Sequence, residues 1–286
     1  MTELQKTEFD ILVHLDDACS KLGIPYYLVC GSALGAVKYG GFIPWDDDID
    51  VAMFRDDYEV FLKEAPKLLP EHLFLQNWHT DPSCPQIGSK LRNSKTAYIE
   101  ESAANIAMHH GVFIDIFPLD GYPAGKLEQN LLELRKRIYV AMLQSACEYP
   151  RGKLGAMLCK ICCLSGIVKH TDRVAKRYER MISSYPVAKS ELVCNHANWQ
   201  GKLDYSPKTH FANGFVANFE GLVVKIPKEY HLYLTQKYGE YSQDPPKEAQ
   251  NGHHHYFVCD CNRAYTDFIN EERRKNHEIL EKRREE

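Results

Sequence analysis

The most restrictive feature of this sequence is a run of acids that leads directly into an apolar strand. Residues 44–51 read Pro-Trp-Asp-Asp-Asp-Ile-Asp-Val. Side chains alternate between the two faces of a strand, so Asp48 and Asp50 are expected to project from one face, a few ångströms apart. Two anions so close need a cation, and oxygen ligands suit Mg²⁺ or Mn²⁺, which also bind substrate phosphates. The segment predicts a metal site for a phosphorylated substrate.

An acid run is also typical of a solvated surface loop, and on its own it favours that alternative. Two other segments argue against it. Gly31-Ser32 follows an apolar strand, where the glycine lets backbone N–H groups approach a phosphate and the hydroxyl can donate to its oxygens. Asp115 is the lone acid of the apolar stretch 112–117, and a buried carboxylate needs a partner or a shared metal. We therefore expect Asp115 to be a third ligand.

Hydrophobic periodicity places these motifs on an α/β or α+β framework. Helices are predicted over 2–22, with a Thr2/Gln5 capping box and Gly23 as a stop signal, over 33–39 and over 56–69. Strands are predicted over 26–30, 49–54, 73–76, 86–91 and 112–117. Helical periodicity then extends from 126 to 185. We expect a catalytic core over 1–125, a helical region over 126–190 and a mixed region over 191–286 that completes the site, or else a single domain.

Composition limits the partners and the compartment. The 286 residues carry 35 basic and 39 acidic side chains, a net charge of −4, which argues against nucleic acid as a partner. Ten cysteines without an export signal predict reduced thiols. The apolar stretch 154–168 is interrupted by Lys160 and is too short for a membrane span. We expect a cytoplasmic protein, either free or at the inner face of the membrane.

The Gly-Ser turn, the Asp-x-Asp strand and the later lone Asp together resemble the nucleotidyltransferase fold. More closely, CGSALGAVKYGGFIPWDDDIDVAM, with KLRNSKT and FIDIFPLD behind it, resembles the LicD family of phosphocholine transferases, whose relatives include the fukutin-type ribitol-phosphate transferases. The resemblance is specific from Tyr27 to about Asp120, with weaker matches at 226–230 and 238–241. It implies a nucleotidyltransferase-like mixed sheet flanked by helices, with a helical insertion or subdomain.

The resemblance also implies a reaction. The donor would be a CDP-alcohol, often CDP-choline, and the acceptor a hydroxyl of a cell-surface glycan or its lipid-linked precursor, of the teichoic acid, lipopolysaccharide or capsule type. Attack at the phosphorus that carries the alcohol, with CMP leaving, would transfer phosphocholine. Attack at the other phosphorus would make the enzyme a nucleotidyltransferase for a small molecule. A degenerate nucleotide-binding module is a third alternative, and the three carboxylates argue against it.

Residue roles follow from the same motif matches. The resemblance implies that the metal-binding and catalytic acids are Asp48, Asp50 and Asp115. Asp46 matches an acidic position as well, and reaches the metal if the strand already begins there. Asp115 is the acid expected nearest the incoming hydroxyl and the candidate general base.

Donor binding is the second set of implied roles. The residues expected at the donor phosphates are Gly31, Ser32, Lys90 and Arg92, the last two as a basic motif that alternates onto one face of a strand. Plain surface charge is the alternative for this basic pair. Trp45 either stacks on a base or sugar or packs the metal loop in place.

Three weaker signals favour ordinary structural roles. The histidine run 253–255 is expected to be a polar loop or partly packed strand, with at most one ring touching substrate. The cysteines at 159, 162 and 163 lack a paired zinc spacing and are expected to be small buried hydrophobes. Segment 151–169 is either a packed helix pair or a membrane-surface helix near a lipid-linked acceptor.

Overall fold

The computed structural model describes residues 1–145, 157, 171–197, 204–252 and 254–269. Its helices are α1 (Glu3–Leu22), α2 (Cys30–Lys38), α3 (Arg55–Glu64), α4 (Lys126–Gln144), α5 (Thr171–Ile182) and α6 (Tyr230–Tyr238). Its strands are β1 (Tyr27–Leu28), β2 (Asp50–Phe54), β3 (Leu73–Gln76), β4 (Ser89–Asn93), β5 (Ala97–Glu100), β6 (Phe113–Tyr122), β7 (Leu192–Asn195), β8 (Tyr205–Pro207), β9 (Phe215–Phe219), β10 (Leu222–Ile226) and β11 (Tyr256–Asp260).

A mixed sheet built around β6 organises the molecule. One edge of β6 pairs with β2 in parallel, while the other edge pairs antiparallel with β4 and then with β7. β1 lies beyond β2, β3 beyond β4 and β8 beyond β7. Two smaller antiparallel sheets, β9 with β10 and β5 with β11, complete the described strands. This arrangement is the predicted α+β class, a mixed sheet flanked by helices.

Helix α1 shows how directly the local sequence specifies its element. The Thr2 hydroxyl accepts a hydrogen bond from the Gln5 backbone N–H, and the Thr2 backbone N–H donates to the Gln5 side-chain oxygen, which together form the predicted capping box. The helix ends at Gly23, which adopts a left-handed φ of 67°. Its apolar face buries Ile11, Leu12 and Leu15 in the main core. The predicted start and stop of this helix are both confirmed.

The predicted strand over 26–30 is present but shorter, and the predicted turn after it is wrong. Only Tyr27 and Leu28 form a strand, because Cys30 adopts φ 50° and starts α2 directly. A positive φ is strained for a residue other than glycine, and such conformations concentrate at functional sites. Gly31 and Ser32 therefore lie in the first turn of α2 instead of in a loop before it.

Three other elements begin or end at residues different from those predicted. The α3 helix stops at Glu64, and a 3₁₀ turn containing Pro66 replaces the rest of the predicted segment. Strand β4 begins at Ser89, three residues later than expected. Strand β6 continues to Tyr122, since β7, which is remote in sequence, pairs with its second half.

The structure has two helices in the region 126–185 that was predicted to be helical, and the apolar stripe of the first faces solvent instead of the core. On α4 the buried residues are Leu132, Lys136 and Leu143. The apolar stripe that signalled this helix points outward, with large exposed fractions at Leu127 (73%), Leu131 (53%), Leu134 (57%) and Ile138 (48%). On α5 the predicted apolar residues Tyr178, Met181 and Ile182 are buried.

The cysteine cluster at 159, 162 and 163 and most of segment 151–169 lie outside the described residues. Among the helices that the structure describes, none combines the length and the apolar character needed to cross a bilayer.

Candidate active site

A cluster of carboxylates forms where β2 and β6 run side by side. The parallel register places Asp50 directly opposite Asp115. Asp48, which lies just before β2, joins them, and each of the three offers an oxygen within 4.8 Å of the others. Asp46 and Asp47 form a second such group with Asp48. The structure thus brings all the predicted acids together, although Asp48 precedes the strand instead of lying in it.

The start of α2 and the face of α1 hold this acidic loop in place. The Ser32 hydroxyl accepts a hydrogen bond from the Asp50 backbone N–H at 2.8 Å. The Gln5 side-chain amide donates to the Asp46 carbonyl at 3.0 Å. A Cβ atom on Gly31 would lie only 2.8 Å from an Asp46 carboxylate oxygen, so the missing side chain makes room for that acid. Gly31 also lines the cavity above the cluster.

The predicted basic pair is divided between two environments. Lys90 lies opposite Asp115 in the sheet, and its Nζ is 3.0 Å from the Asp115 carboxylate, at the cavity wall. Arg92 is fully buried. Its guanidinium donates to the Gln76 side chain and to the Gly111 carbonyl at 2.7 Å. The structure therefore brings Lys90 to the cluster and leaves Arg92 in the interior.

His254 is a cavity residue that sequence reasoning set aside. Its backbone N–H donates to Asp47 at 3.1 Å, and its ring Nδ1 lies 3.3 Å from the other Asp47 oxygen. Burial alone would lower the pKa of His254, but Asp47 and Asp48 together raise it to about 9. The imidazolium therefore supplies a positive charge beside the acids. The run at 253–255 was its only sequence signal, and alternation alone did not indicate which ring faced the site.

The acids share an electrostatic problem that a cation would solve. Burial, and then Asp47, raises the pKa of Asp46 to about 6. Burial, and then Asp46, raises the pKa of Asp48 to about 7. Burial and the charge of Asp48 raise the pKa of Asp50 well above its ordinary value. Like charges and low solvation both penalise the ionised forms, and a bound cation removes that penalty.

The cluster forms part of the wall of a 920 Å³ cavity. Its lining includes Trp45, whose ring stands at 78° to that of Tyr39 with 6.3 Å between centroids. Phe117 and His196 also line the cavity. His196 is fully buried, and neither ring nitrogen has a hydrogen-bond partner among the described residues. The volume and lining suit a nucleotide-sized ligand with a second substrate beside it.

The residues at the centre fit a hard divalent cation. All the donors of the Asp48, Asp50 and Asp115 group are carboxylate oxygens, the ligand type that Mg²⁺ and Mn²⁺ prefer. The raised pKa values of Asp48 and Asp50 indicate that the protein's own cations do not fully compensate the charge of these carboxylates. The fit therefore rests on both donor chemistry and charge.

A parallel strand pair that presents aspartates to a cavity, beside a glycine-serine helix start, defines a nucleotidyltransferase-type domain. Residues 23–133 match the family model described as LicD/FKTN/FKRP, nucleotidyltransferase domain. The chain therefore carries a LicD-type nucleotidyltransferase domain and is a transferase.

Three curated proteins are similar to this chain. A protein named lipopolysaccharide cholinephosphotransferase LicD, from Haemophilus influenzae, is 29% identical over 262 residues, which cover 89% of this chain and 96% of that protein. The protein RP689 of Rickettsia prowazekii is 32% identical over 63 residues, 22% of each chain. The protein RT0683 of Rickettsia typhi is 30% identical over 59 residues, 21% of this chain and 19% of its own length.

Proposed function

We propose that this enzyme transfers phosphocholine from CDP-choline to a hydroxyl of a cell-surface glycan or its lipid-linked precursor. The carrying observation is the group of Asp48, Asp50 and Asp115 on a cavity large enough for such a donor. Similarity to a lipopolysaccharide cholinephosphotransferase along 96% of that protein's length supports the choice of choline and of a lipopolysaccharide-type acceptor. Teichoic acid and capsule glycans share the same acceptor chemistry.

The carboxylates Asp48, Asp50 and Asp115 would hold Mg²⁺ or Mn²⁺. Asp46 lies beside this group, because its carboxylate is within 4.8 Å of that of Asp48. The ion would supply Lewis-acid neutralisation of charge on the transferring phosphate. The three acids lie on two adjacent strands and one short loop, so the fold would fix the position of the ion, and through it the donor phosphates, before reaction; such positioning is how phosphoryl-transfer enzymes gain much of their rate.

The remaining polar groups have assignable tasks in this proposal. Lys90 offers a positive charge at the cavity wall, and His254 offers a second from the segment just before β11. Gly31 makes room for the Asp46 carboxylate and exposes its backbone to the cavity. Ser32 holds the Asp50 backbone, a supporting role that differs from the direct phosphate contact first expected.

The reaction balances as a single displacement. The acceptor oxygen forms a bond to the phosphorus that carries choline, the bond from that phosphorus to the oxygen bridging it to the CMP phosphate breaks, and CMP leaves with the bridging oxygen. The hydroxyl proton passes to a carboxylate of the cluster, with Asp115 as our candidate, since it lines the cavity from a different strand than Asp50.

We place the reaction in the cytoplasm, either free or at the inner membrane face. The six cysteines among the described residues for which a state is assigned are free thiols, as a reducing compartment requires. Association with the membrane would bring the enzyme to a lipid-linked acceptor.

The decisive assay supplies CDP-choline, Mg²⁺ and an acceptor glycan and identifies the products by mass spectrometry. CMP together with a phosphocholine-modified glycan supports the proposal. Pyrophosphate release from a nucleoside triphosphate, without CMP from CDP-choline, would instead establish nucleotidyl transfer. Absence of both products with several glycans would support a degenerate binding module.

Asp48→Asn tests the metal site within the same assay. It removes a ligand charge without changing side-chain size, so turnover should be almost abolished while the fold is retained. Glu59→Gln is a matched control, since Glu59 lies on α3 and its carboxylate pairs with Arg55 outside the cavity. Full activity of Asp48→Asn would overturn the assignment of the metal site.

A further inference from the structure

Four aromatic rings that line the cavity are not used by the chemistry described above. We call this group the aromatic corner, and it consists of Tyr39, Trp45, Tyr238 and Tyr241. The rings come from the end of α2, from the acidic loop, from the last residue of α6 and from the segment that follows it. Trp45 directly precedes Asp46, so the corner adjoins the carboxylate cluster through a single peptide bond.

We propose that the aromatic corner binds the trimethylammonium head of the phosphocholine group and so selects choline among CDP-linked alcohols. This inference rests on the proposed function and adds the residues that recognise the alcohol. A quaternary ammonium has no N–H to donate, so a protein recognises it through ring faces and nearby negative charge instead of through hydrogen bonds.

The ring geometry suits a rounded cation better than a flat base. The Tyr39 and Trp45 rings stand at 78° to each other with centroids 6.3 Å apart, which makes two walls of a corner. A nucleobase is better held by stacking between parallel faces. Tyr39 is oriented by the hydrogen bond from its hydroxyl to Asp244, and Tyr241 by a 2.8 Å contact between its hydroxyl and His231 Nδ1. Two rings are therefore fixed before any ligand arrives.

The charges around the corner also favour a cation. Lys38 Nζ lies 5.5 Å from the centroid of the Tyr39 ring, and the Asp244 carboxylate 2.6 Å from that Nζ neutralises its charge. Glu240 also lines the cavity and is exposed, and its carboxylate accepts a 3.1 Å hydrogen bond from the Ser242 backbone. Lys38, Asp244 and Glu240 together carry one net negative charge, and negative charge combined with ring faces attracts a permanent cation.

The test measures inhibition constants of phosphocholine and of CMP separately, with Mg²⁺ present, for the wild type, Trp45→Leu and Tyr241→Leu. We expect each leucine variant to weaken phosphocholine by roughly 3- to 30-fold, the range of a cation–π contact, while CMP changes by less than about twofold. Phe257→Leu is the matched control, because Phe257 is an exposed aromatic residue outside the cavity lining, and it should stay close to the wild type for both ligands. Thermal unfolding of each variant verifies that it is folded.

Opposite results would overturn the inference. If the leucine variants lose CMP affinity as much as phosphocholine affinity, the rings stack on the cytosine. If neither ligand is affected, the corner is not part of the donor site. Glu240→Gln supplies a second test on an exposed residue that does not threaten folding, and it should weaken phosphocholine without changing CMP.

A donor series separates this inference from the proposed function. Wild-type enzyme should prefer CDP-choline over CDP-ethanolamine and CDP-glycerol, and the leucine variants should lose that preference. If the wild type turns over CDP-choline and the variants keep the same preference, the assignment of the corner is contradicted while the proposed function stands. If the wild type neither binds phosphocholine nor uses CDP-choline, both fail together.

Discussion

Asp50 and Asp115 lie directly opposite each other on the neighbouring parallel strands β2 and β6. They are separated by 65 positions in the chain and are brought together only because those two strands pair in this register. With Asp48 they form the oxygen-rich group from which the proposed chemistry follows.

Asp115→Asn should lower kcat/KM by about 10²- to 10³-fold, as expected when a group that organises transition-state charge is removed. The amide is the same size; the loss of one negative charge from a crowded cluster and the loss of the 3.0 Å partner of Lys90 oppose each other, so the metal-free variant should unfold at a temperature close to that of the wild type. Steady-state kinetics test the loss of kcat/KM, and thermal unfolding tests the retained stability. A loss of activity accompanied by a large drop in Tm would instead indicate a structural role.

The stabilisation of the protein by Mg²⁺ should increase with pH between about 5 and 8. The raised pKa of Asp48, about 7, means that the folded metal-free protein retains a proton there that the unfolded chain releases near pH 4. Stability of the metal-free form contributed by this group is therefore lost as the pH rises through that interval, and below pH 7 the ion must displace the proton.

This pH dependence can be measured as the increase in Tm on adding Mg²⁺ at a series of pH values. The comparison with and without the ion cancels the contributions of titratable groups away from the cluster. In Asp48→Asn the increase should be smaller and less dependent on pH. An Mg²⁺ effect that is the same at pH 5.5 and pH 8 would contradict the assignment.

Lys90→Met should reduce kcat/KM by about 10²-fold, because it removes a cation from the cavity wall and leaves Asp115 without its 3.0 Å partner. Lys90→Arg keeps the charge and should recover part of the activity. Arg92→Lys serves as the contrast. The buried Arg92 guanidinium donates to the Gln76 side chain and the Gly111 carbonyl, so this substitution should change Tm more than KM. Equal effects of both substitutions on donor KM would show that Arg92 also reaches the donor.

Gly31→Ala should impair activity more than stability. The new Cβ would lie 2.8 Å from an Asp46 carboxylate oxygen, so the acid side chain has to move away from the cluster. Gly125→Ala is a matched control, because its nearest neighbour to an added Cβ is a Glu128 oxygen at 3.7 Å. Titration calorimetry measures the affinity for Mg²⁺, and this affinity should fall in Gly31→Ala and stay unchanged in Gly125→Ala.

Arg55→Leu should destabilise the fold by about 3 to 5 kcal/mol, because it leaves the fully buried Asp120 carboxylate without its two 2.7 Å hydrogen bonds. Chemical denaturation provides the free energy of unfolding. Replacing both partners, as in Arg55→Leu with Asp120→Leu, should recover much of that loss. Neither residue lines the cavity, so Mg²⁺ affinity of the folded variants should be close to that of the wild type.

Local chemistry determined a large part of this protein in advance. The capping box of Thr2 and Gln5 and the stop at Gly23 specify α1 because each depends on neighbours within a few residues. The apolar run after Asp50 specifies a strand whose first residue carries an acid. The acid spacing and the family motif were sufficient to predict the carboxylates that meet in the cluster.

Tertiary structure decided which of those side chains share a surface. Arg92 and Lys90 alternate onto one face of β4, yet only Lys90 lines the cavity, because Gln76 and Gly111 bind the arginine inside the fold. His254 reaches the acids through a contact with Asp47 across 207 positions, and the apolar stripe of α4 faces outward because Leu132 and Leu143 turn toward α5. Sequence periodicity reports the spacing along one element, whereas the strand register and the packing between distant elements set which face meets which neighbour.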